Sequence, residues 1–450
     1  MPDNQETINI KLSDIDSEGN VSLNLKLNIE QPVVVVPEPP KEPEPTPAPY
    51  QVLFPQDWAE GQPESSPSSA SIPLGLQAQF DIEYKGAMFP WARGEDGQWE
   101  NSSSYATGGL AYHEANNSIF LAGSDRFDNV GEFKIPSVLS FEEDGKKVPP
   151  MQVLQKFTQV LTASDEDKAN YLENSKINDL YVFNDKLIVT SEIWYDANGD
   201  NKDHLQALDA NDLKNSDKET FQSLQGAAMF AGYMSPIPED MVDDMGGEHL
   251  IGWSSVYSIT SRLSQGFSIA VWSPQDAVDE VKPEIPIDIK QVYPLYKNGI
   301  PQSDTEQDAG DVSPIWSAYS KGLYGFIIPN TRIFMGVGEH GGIHSGIGYK
   351  VVRDDGVYID GFTPLSAKDK YSYFWLYDLD AILAAENPWD VLPFSYGKWQ
   401  MPYKGKIIGA TFDGKETLYI SLWGQGNRGA QGYERPPLIV SFNIKAKEQN

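Results

Sequence analysis

The stretch "GGLAYHEANNSIFLAGSD" at residues 108–125 consists of two short apolar segments separated by the polar residues "EANN". Aromatic and β-branched residues occur in both segments, and a polar cluster of this kind is typical of a tight turn. The stretch therefore predicts a hairpin whose second strand ends at Ser124 and Asp125. The pattern recurs four more times, in residues 177–193, 229–262, 316–340 and 406–425.

Five copies of one unit, spaced irregularly by about 50 to 80 residues, indicate a repeat architecture. Each copy is followed by a further apolar segment with strand character, so the unit has three or four strands. These features predict an all-β protein with a β-propeller of about five blades. The segment "LQAQFDIEYKG" at 76–86 is expected to close the ring with the last blade. A pair of β-sandwiches is the alternative.

A different pattern precedes the repeats. Residues 7–30, "TINIKLSDIDSEGNVSLNLKLNIE", alternate apolar and polar side chains on both sides of a polar turn, which predicts a β-hairpin. A lone two-stranded hairpin is marginal in water, so its apolar face is expected to dock on a partner. The predicted attachment residues are Ile8, Ile10, Leu12, Val21, Leu23, Leu25, Leu27 and Ile29.

A proline-rich segment follows this hairpin. Residues 31–49 contain eight prolines, which favour a polyproline II conformation over helix or sheet. Residues 60–73, "EGQPESSPSSASIP", form a second linker-like stretch. The predicted organisation is a hairpin anchor at 1–30, a linker or stalk at 31–74 and a propeller head at 75–450.

Composition narrows the classes of partner. The formal net charge of −31 would repel a phosphate backbone, so nucleic-acid binding is not expected. No stretch approaches the roughly 20 apolar residues of a membrane-spanning helix, and no membrane insertion is expected. The residues at the start of the sequence lack the basic and apolar regions of a secretory signal. The chain has no cysteine, which excludes thiol catalysis.

Equivalent positions of the blades are expected to form a ring around the propeller axis. Aligning the copies by their predicted second strands brings polar residues to one end of this ring. The predicted ligand-binding residues are Asp125, Glu192, Arg262, Glu339, His340 and His344. The two histidines lie in "GEHGGIHSGIG" at 338–348, where they suit acid–base chemistry or metal binding. The alternatives are polar strand ends and a glycine-rich loop with incidental histidines.

One acidic loop resembles a calcium loop. In "YDANGDNKDH" at 195–204, Asp196, Asn198 and Asp200 offer oxygen ligands at alternate positions. Asn201 occupies the position where such loops have glycine, so an acidic hairpin turn is the alternative interpretation. No cofactor is expected apart from calcium at this loop.

Several segments together carry a family resemblance, namely "GGLAYHEANNSIFLAGSD", "ITSRLSQGFSIAVWSP", "FMGVGEHG" and "YDLDAILAAENPWDVLPFSYGKW". They resemble, in colinear order over about residues 75–445, an uncharacterised family of bacterial and phage-borne propeller-like proteins. The resemblance implies the propeller fold and no particular reaction. It departs at Gly123-Ser124-Asp125, where the family has Gly-His-Asp. It does not extend to residues 1–50.

Two functions follow from these patterns. The first is a non-enzymatic display protein of a phage virion. In this hypothesis, residues 1–30 bind a virion or other assembly protein, and the head binds a host-surface or extracellular ligand such as a glycan. The alternative is a secreted, extracellular polysaccharide-active enzyme, a lyase or hydrolase, with its site in the propeller funnel. A docking hairpin has no role in such an enzyme, which favours display.

Overall fold

The computed structural model describes residues 72–447, with gaps at 99–100, 162–174, 197, 219, 255–258, 260–261, 280–281, 283, 295–312 and 428–431. The predicted hairpin anchor (1–30) and all but the last residues of the predicted linker (31–74) lie outside the described residues.

The described chain begins with a short helix and the strand that later completes the ring, α1 (Leu74–Gln79) and β1 (Phe80–Met88). Blade 1 contains β2 (Leu110–His113), β3 (Ser118–Ala122), β4 (Asn129–Lys134) and β5 (Gln152–Gln159). Blade 2 contains β6 (Ser175–Phe183), β7 (Lys186–Ile193) and β8 (Leu205–Asp209). Blade 3 contains β9 (Met234–Pro236), β10 (His249–Ile251), β11 (Ile269–Trp272) and β12 (Ile287–Gln291).

Blade 4 carries an inserted hairpin. Its strands are β13 (Lys321–Ile327), β14 (Ile333–Gly341), β17 (Lys370–Asp378) and β18 (Ser395–Lys398), and the insertion is the two-stranded sheet β15 (Ile347–Val352) and β16 (Tyr358–Pro364). Blade 5 contains β19 (Ile407–Phe412), β20 (Thr417–Leu422) and β21 (Leu438–Ala446). The further helices are α2 (Val242–Met245), α3 (Gln275–Val278) and α4 (Leu379–Ala384), with 3₁₀ turns at Gly145–Lys147, Ala227–Met229 and Glu239–Met241.

The ring closes through the first strand of the described chain. β1 pairs antiparallel with β21, from Phe80 opposite Ala446 to Met88 opposite Ile439, and becomes the outermost strand of blade 5. The predicted closure at 76–86 and the predicted propeller of about five blades are thereby confirmed. All strand pairs within the five blades are antiparallel, as expected for consecutive hairpins.

The innermost strands, β2, β6, β9, β13 and β19, contact one another around the axis. Side chains tie them together: the Leu110 amide donates to Asp179 Oδ1 at 3.2 Å, and the Phe412 amide donates to the Tyr324 hydroxyl at 3.0 Å. Glycine is required where the strands meet, because a Cβ at Gly409 would lie 2.0 Å from the carbonyl oxygen of Gly108. A five-bladed ring therefore leaves little space at the middle of its axis.

Burial explains why the first two strands of a blade are strongly apolar in sequence. Every residue of β14 is buried, because neighbouring blades cover both faces of the inner strands. The outer strand β5 instead alternates between exposed and partly buried residues over most of its length. Aromatic rings fill part of the space between blades, with Phe267 and Trp316 each 5.3 Å from Trp375, measured between ring centroids.

Two local features differ from the sequence patterns. The second strand of blade 3 is β10 (His249–Ile251), and the strand end expected near 257–260 lies almost entirely outside the described residues. The stretch "GEHGGIHSGIG" includes the end of β14, a turn and the beginning of the inserted hairpin. In the described part of the chain, the helices are all too short or too polar to traverse a bilayer.

Candidate functional site

A pocket of about 470 Å³ opens at one end of the propeller axis. Its lining comes from blades 1, 2, 4 and 5, at positions where inner strands begin and second strands end. We call it the axial pocket. Lys176, Lys321 and Lys406 line it together with Asp125 and Glu339. Tyr105, Trp194 and Trp423 supply its aromatic surface. Its volume is within the range of about 300–1,000 Å³ that is typical of small-molecule sites.

The three lysines occupy equivalent places in three blades. Lys321 is the first residue of β13, Lys176 is the second residue of β6, and Lys406 immediately precedes β19. Antiparallel pairing places them beside the ends of the second strands: Lys321 is opposite Glu339 and Lys176 is opposite Glu192. The Trp423 amide donates to the Lys406 carbonyl at 2.9 Å. The propeller repeat therefore converts one position of the blade into a ring of positive charge.

Two of these charges lie near each other. Burial lowers the pKa of the Lys321 ammonium, the Lys406 charge lowers it further, and the Glu339 carboxylate opposes both effects. No ion pair joins Lys321 or Lys406 to a carboxylate of the residues that the structure describes. Lys176 is held differently, because its Nζ donates to the backbone carbonyl of Asp125 at 2.5 Å. An anion entering the pocket would meet two ammonium groups that form no direct ion pair with the carboxylates of the described residues.

A hydrogen bond from a tyrosine helps to hold the Glu339 carboxylate in place. Glu339 is buried, and the Tyr319 hydroxyl donates to its Oε2 at 3.4 Å. Behind this pair, the Lys370 ammonium lies 4.8 Å from the centroid of the Tyr319 ring. Burial first, and then the charge of Arg353, lower the pKa of Lys370 to about 8, while Glu339 opposes the shift. On the blade 4 side, Lys321 and Glu339 therefore line the pocket itself, and Tyr319 and Lys370 lie behind Glu339.

Aromatic residues lie beside the charged residues of the pocket lining. Trp194 follows β7 and remains 45% exposed, although it lines the pocket. Trp423 follows β20 and is half-buried. Tyr105 has a φ of 56°, and its hydroxyl donates to the Tyr433 carbonyl at 2.9 Å, which fixes the ring at the pocket wall. Flat apolar surfaces beside charged groups suit a ligand that has both an apolar face and polar edges.

Of the six residues predicted to bind a ligand, the structure places Asp125 and Glu339 in the axial pocket. His340 follows Glu339 in β14 and, since successive strand residues point to opposite faces, lies on the other side. It is fully buried, and its Nδ1 is 2.6 Å from the Ser320 hydroxyl. Burial lowers its pKa to about 3, so the ring is neutral near pH 7. His344 is exposed in the turn before β15.

Glu192 and Arg262 lie in a separate polar group beside blade 2. Glu192 is buried, accepts a hydrogen bond of 2.8 Å from Asn201 Nδ2, and has Oε2 3.8 Å from His204 Nε2. Burial raises the pKa of Glu192 to about 7 and lowers that of His204 to about 4. Arg262 pairs with Asp196 at 3.4 Å. This group supports the loop that begins with Trp194.

The loop predicted to bind calcium is organised around one carboxylate. The Asp196 carboxylate accepts backbone N–H groups from Gly199, Asp200 and Asn201 at 2.8–3.3 Å. Asn198 and Asp200 are exposed. Within the described ranges, no group of three or more His, Cys, Asp or Glu side chains is arranged to hold a metal ion. Calcium binding at this loop stays a prediction.

The sequence alignment missed the three lysines because it compared the ends of second strands. A comparison of inner-strand starts would have found them in "SKI" (175–177), "SKG" (320–322) and "GKI" (405–407). The two positions lie at the same end of a blade, since consecutive strands are antiparallel. Trp194 had no such signal, because it lies in a loop.

No family model matches the chain, and no curated protein is significantly similar to it. Solved structures give distant similarities. A glycosyl hydrolase from Bacteroides ovatus is 11% identical, with 87% of this chain and 96% of that chain covered and a TM-score of 0.35. The PQQ-bound aldose sugar dehydrogenase from Streptomyces coelicolor is 10% identical, with 81% and 98% covered and a TM-score of 0.34. These similarities assign no activity to this chain.

The fold and site define a five-bladed β-propeller with a cationic axial pocket. The resemblance to bacterial and phage-borne propeller proteins is supported only in its fold. The virion role remains a prediction.

Proposed function

We propose that the head is a ligand-binding module and that the axial pocket takes an anionic ligand. The observation that carries this proposal is the convergence of Lys176, Lys321 and Lys406 from three blades in one cavity. The chain as a whole has a formal net charge of −31. Acidic residues outnumber basic residues in this chain, 65 to 34, so a random set of charged side chains would be mostly acidic. The three lysines in one pocket are therefore a local excess of positive charge.

The contrast between the acidic chain and the lysines of the pocket affects where an anion can bind. The acidic surface repels anions at long range, whereas a concave pocket with low-dielectric walls concentrates the field of its own charges. Binding an anion would also relieve the repulsion between Lys321 and Lys406, which contributes to the lowered pKa of Lys321. The module therefore favours an anionic group that can enter the pocket over one that stays at the acidic surface.

The display hypothesis extends this proposal to the whole chain. A head that binds a ligand on a surface, joined through a proline-rich segment to a predicted attachment hairpin, suits a virion appendage. The support is the sequence pattern of residues 1–49, which lie outside the described residues. The proposed partner is a virion or other assembly protein.

Isothermal titration calorimetry on the full chain tests the binding function, with sulfate, phosphate, citrate and an oligomeric hexuronate as titrants. We expect at least one anion to bind and the triple variant K176Q/K321Q/K406Q to lose that binding. The matched control K146Q/K415Q/K445Q makes the same change in net charge at exposed lysines outside the pocket lining. Equal loss in both triple variants, or no binding of any anion, would reject the proposal.

A polysaccharide lyase is a second candidate, favoured by the groups behind Glu339. A base for proton transfer works best with a pKa near the working pH, and the pKa of Lys370 is lowered to about 8. Tyr319 and Lys321 lie beside the same carboxylate. The test is the ultraviolet absorbance of unsaturated uronate products on incubation with acidic polysaccharides. Activity that Lys370→Gln abolishes would favour the enzyme over the binding module.

A further inference from the structure

We propose that the ligand of the axial pocket is a hexuronate unit of an acidic polysaccharide, with its carboxylate between Lys321 and Lys406 and its ring against Trp423. This inference rests on the proposed function and names the chemical class of the ligand. It is carried by three properties of the lining: the paired lysines, the net charge and the combination of aromatic rings with carboxylates.

The paired lysines define the place of the anionic group. Lys321 and Lys406 belong to blades 4 and 5, whose inner strands β13 and β19 are neighbours, and both line the pocket. Their charges repel each other, so an oxyanion between them gains two charge-assisted contacts and removes a repulsion. A carboxylate has two oxygens and can accept from both ammonium groups.

The net charge selects the type of anion. Three lysines and two carboxylates line the pocket, so the lining carries one net positive charge when all five are ionised. A monoanion neutralises it. A phosphate monoester, which carries between one and two charges near pH 7, would meet Asp125 and Glu339 as like charges. Repulsion of this kind is a recognised source of specificity. The lining therefore favours a carboxylate over a phosphate.

The two acidic residues then need a role in binding. Carboxylates accept hydrogen bonds, and sugar hydroxyls donate them, so Asp125 and Glu339 suit a hydroxylated ligand. Trp423 offers a flat apolar surface for the C–H face of a sugar ring. Trp194, which is 45% exposed, offers a second surface for a neighbouring sugar unit. Anionic group, hydroxyls and apolar ring face occur together in a hexuronate.

The experiment compares four titrants on the full chain by calorimetry: an oligogalacturonate, its neutral methyl ester, acetate and inorganic phosphate. We expect the oligogalacturonate to bind at least about tenfold more tightly than each of the others. The methyl ester loses a charge-assisted hydrogen bond, which has roughly that effect. Acetate lacks the sugar ring and hydroxyls, and phosphate meets Asp125 and Glu339 as like charges. Lys406→Gln should weaken oligogalacturonate binding by about tenfold. Trp423→Ala should weaken it similarly, and Trp423→Phe should restore most of it. The control Lys415→Gln lies in the β19–β20 turn of the same blade and should bind normally.

The outcomes separate this inference from the proposed function. If phosphate or acetate binds as tightly as oligogalacturonate through the same lysines, the pocket binds anions but the hexuronate assignment is wrong. Equal binding of the methyl ester also overturns it, because the carboxylate would then contribute nothing. If no titrant binds the wild-type chain, both the assignment and the proposed function fail. Thermal unfolding of each variant shows whether lost binding reflects a lost fold.

Discussion

Lys321 and Glu339 are directly opposite each other in the antiparallel pair β13–β14, and both line the axial pocket. Their side chains set the balance of charge on the blade 4 side. Removal of the carboxylate leaves the lysine pair unopposed, while removal of the lysine leaves a buried carboxylate beside Tyr319. We therefore expect this pair to determine which anions the pocket binds.

We predict that Glu339→Gln increases the affinity of the pocket for a dianion more than for a monoanion. The substitution removes one negative charge, and at an effective dielectric constant near 20 a nearby charge contributes on the order of 2 kcal/mol. Calorimetric titration with sulfate and galacturonate measures the ratio. Glu416→Gln, at a partly exposed residue of blade 5 outside the pocket lining, is the control. A ratio that does not change would contradict the charge balance described for the lining.

Glu192 should make the head less stable as the pH rises. Its pKa is about 7 in the folded chain because of burial, against an ordinary value of 4.5. Between these values the unfolded chain releases a proton that the folded chain keeps, so stability falls with rising pH and then stays reduced. We expect Glu192→Gln, which can still accept from Asn201, to equal wild type at about pH 4.5 and exceed it by on the order of 2 kcal/mol at about pH 8. Urea unfolding at both pH values is the measurement, and an equal difference at the two would refute it.

His340 is expected to contribute to stability and not directly to binding. Its ring is buried, lies 2.6 Å from the Ser320 hydroxyl and packs against Tyr373. His340→Ala should lower the free energy of unfolding by about 2–4 kcal/mol, because it leaves a cavity and removes the hydrogen bond between His340 and Ser320. Asp125→Asn should instead change ligand affinity with little effect on stability. Denaturant unfolding and calorimetry of both variants distinguish the two roles. If His340→Ala changed ligand affinity with little effect on stability, His340 would be a binding residue.

Truncation from the amino-terminal side should show whether the β1–β21 pairing that closes the ring is needed for stability. A chain beginning at residue 72 keeps β1 and should unfold cooperatively, whereas one beginning at residue 90 lacks the partner of β21. Loss of that strand exposes the buried residues Val440 and Phe442, so the shorter chain should be unfolded or aggregated. Circular dichroism during heating and size-exclusion chromatography provide the comparison. A stable monomer from residue 90 onward would show that closure is dispensable.

The attachment hypothesis makes a separate prediction. Deletion of residues 1–50 should leave a folded, monomeric head that no longer joins its assembly. The apolar residues Leu23, Leu25 and Leu27 offer a finer test, since their change to Asp alters one face of the predicted strand. Sedimentation of the full chain, the deletion and the triple variant measures self-association. Incorporation of the truncated head into particles, or a monomeric full chain with residues 8–29 packed on its own propeller, would argue against an anchor.

The sequence was sufficient for the fold because each blade repeats the same hairpin and each hairpin has its own apolar signal. It brought Asp125 and Glu339 to the strand ends that line the axial pocket, since polar residues at strand ends are visible in an alignment of repeats. Arg262 does not line the axial pocket; the alignment used the strand-like residues before Arg262, whereas the second strand of blade 3 is the three-residue β10. The neighbouring position of His340 was grouped with Glu339, although the alternation of a strand separates them. Trp194 depends on a loop conformation that no local pattern encodes.

The β1–β21 pairing also determines how the head would respond to mechanical load. Phe80 is opposite Ala446, so the two ends of the ring leave it side by side. Force applied between these two ends would break the hydrogen bonds between β1 and β21 one pair at a time. Force entering at Phe80 and leaving through a ligand in the axial pocket would cross blade 5 and load several strands together. If the head is tethered at its amino-terminal side, the direction of pull decides whether the weakest part of the ring is tested at all.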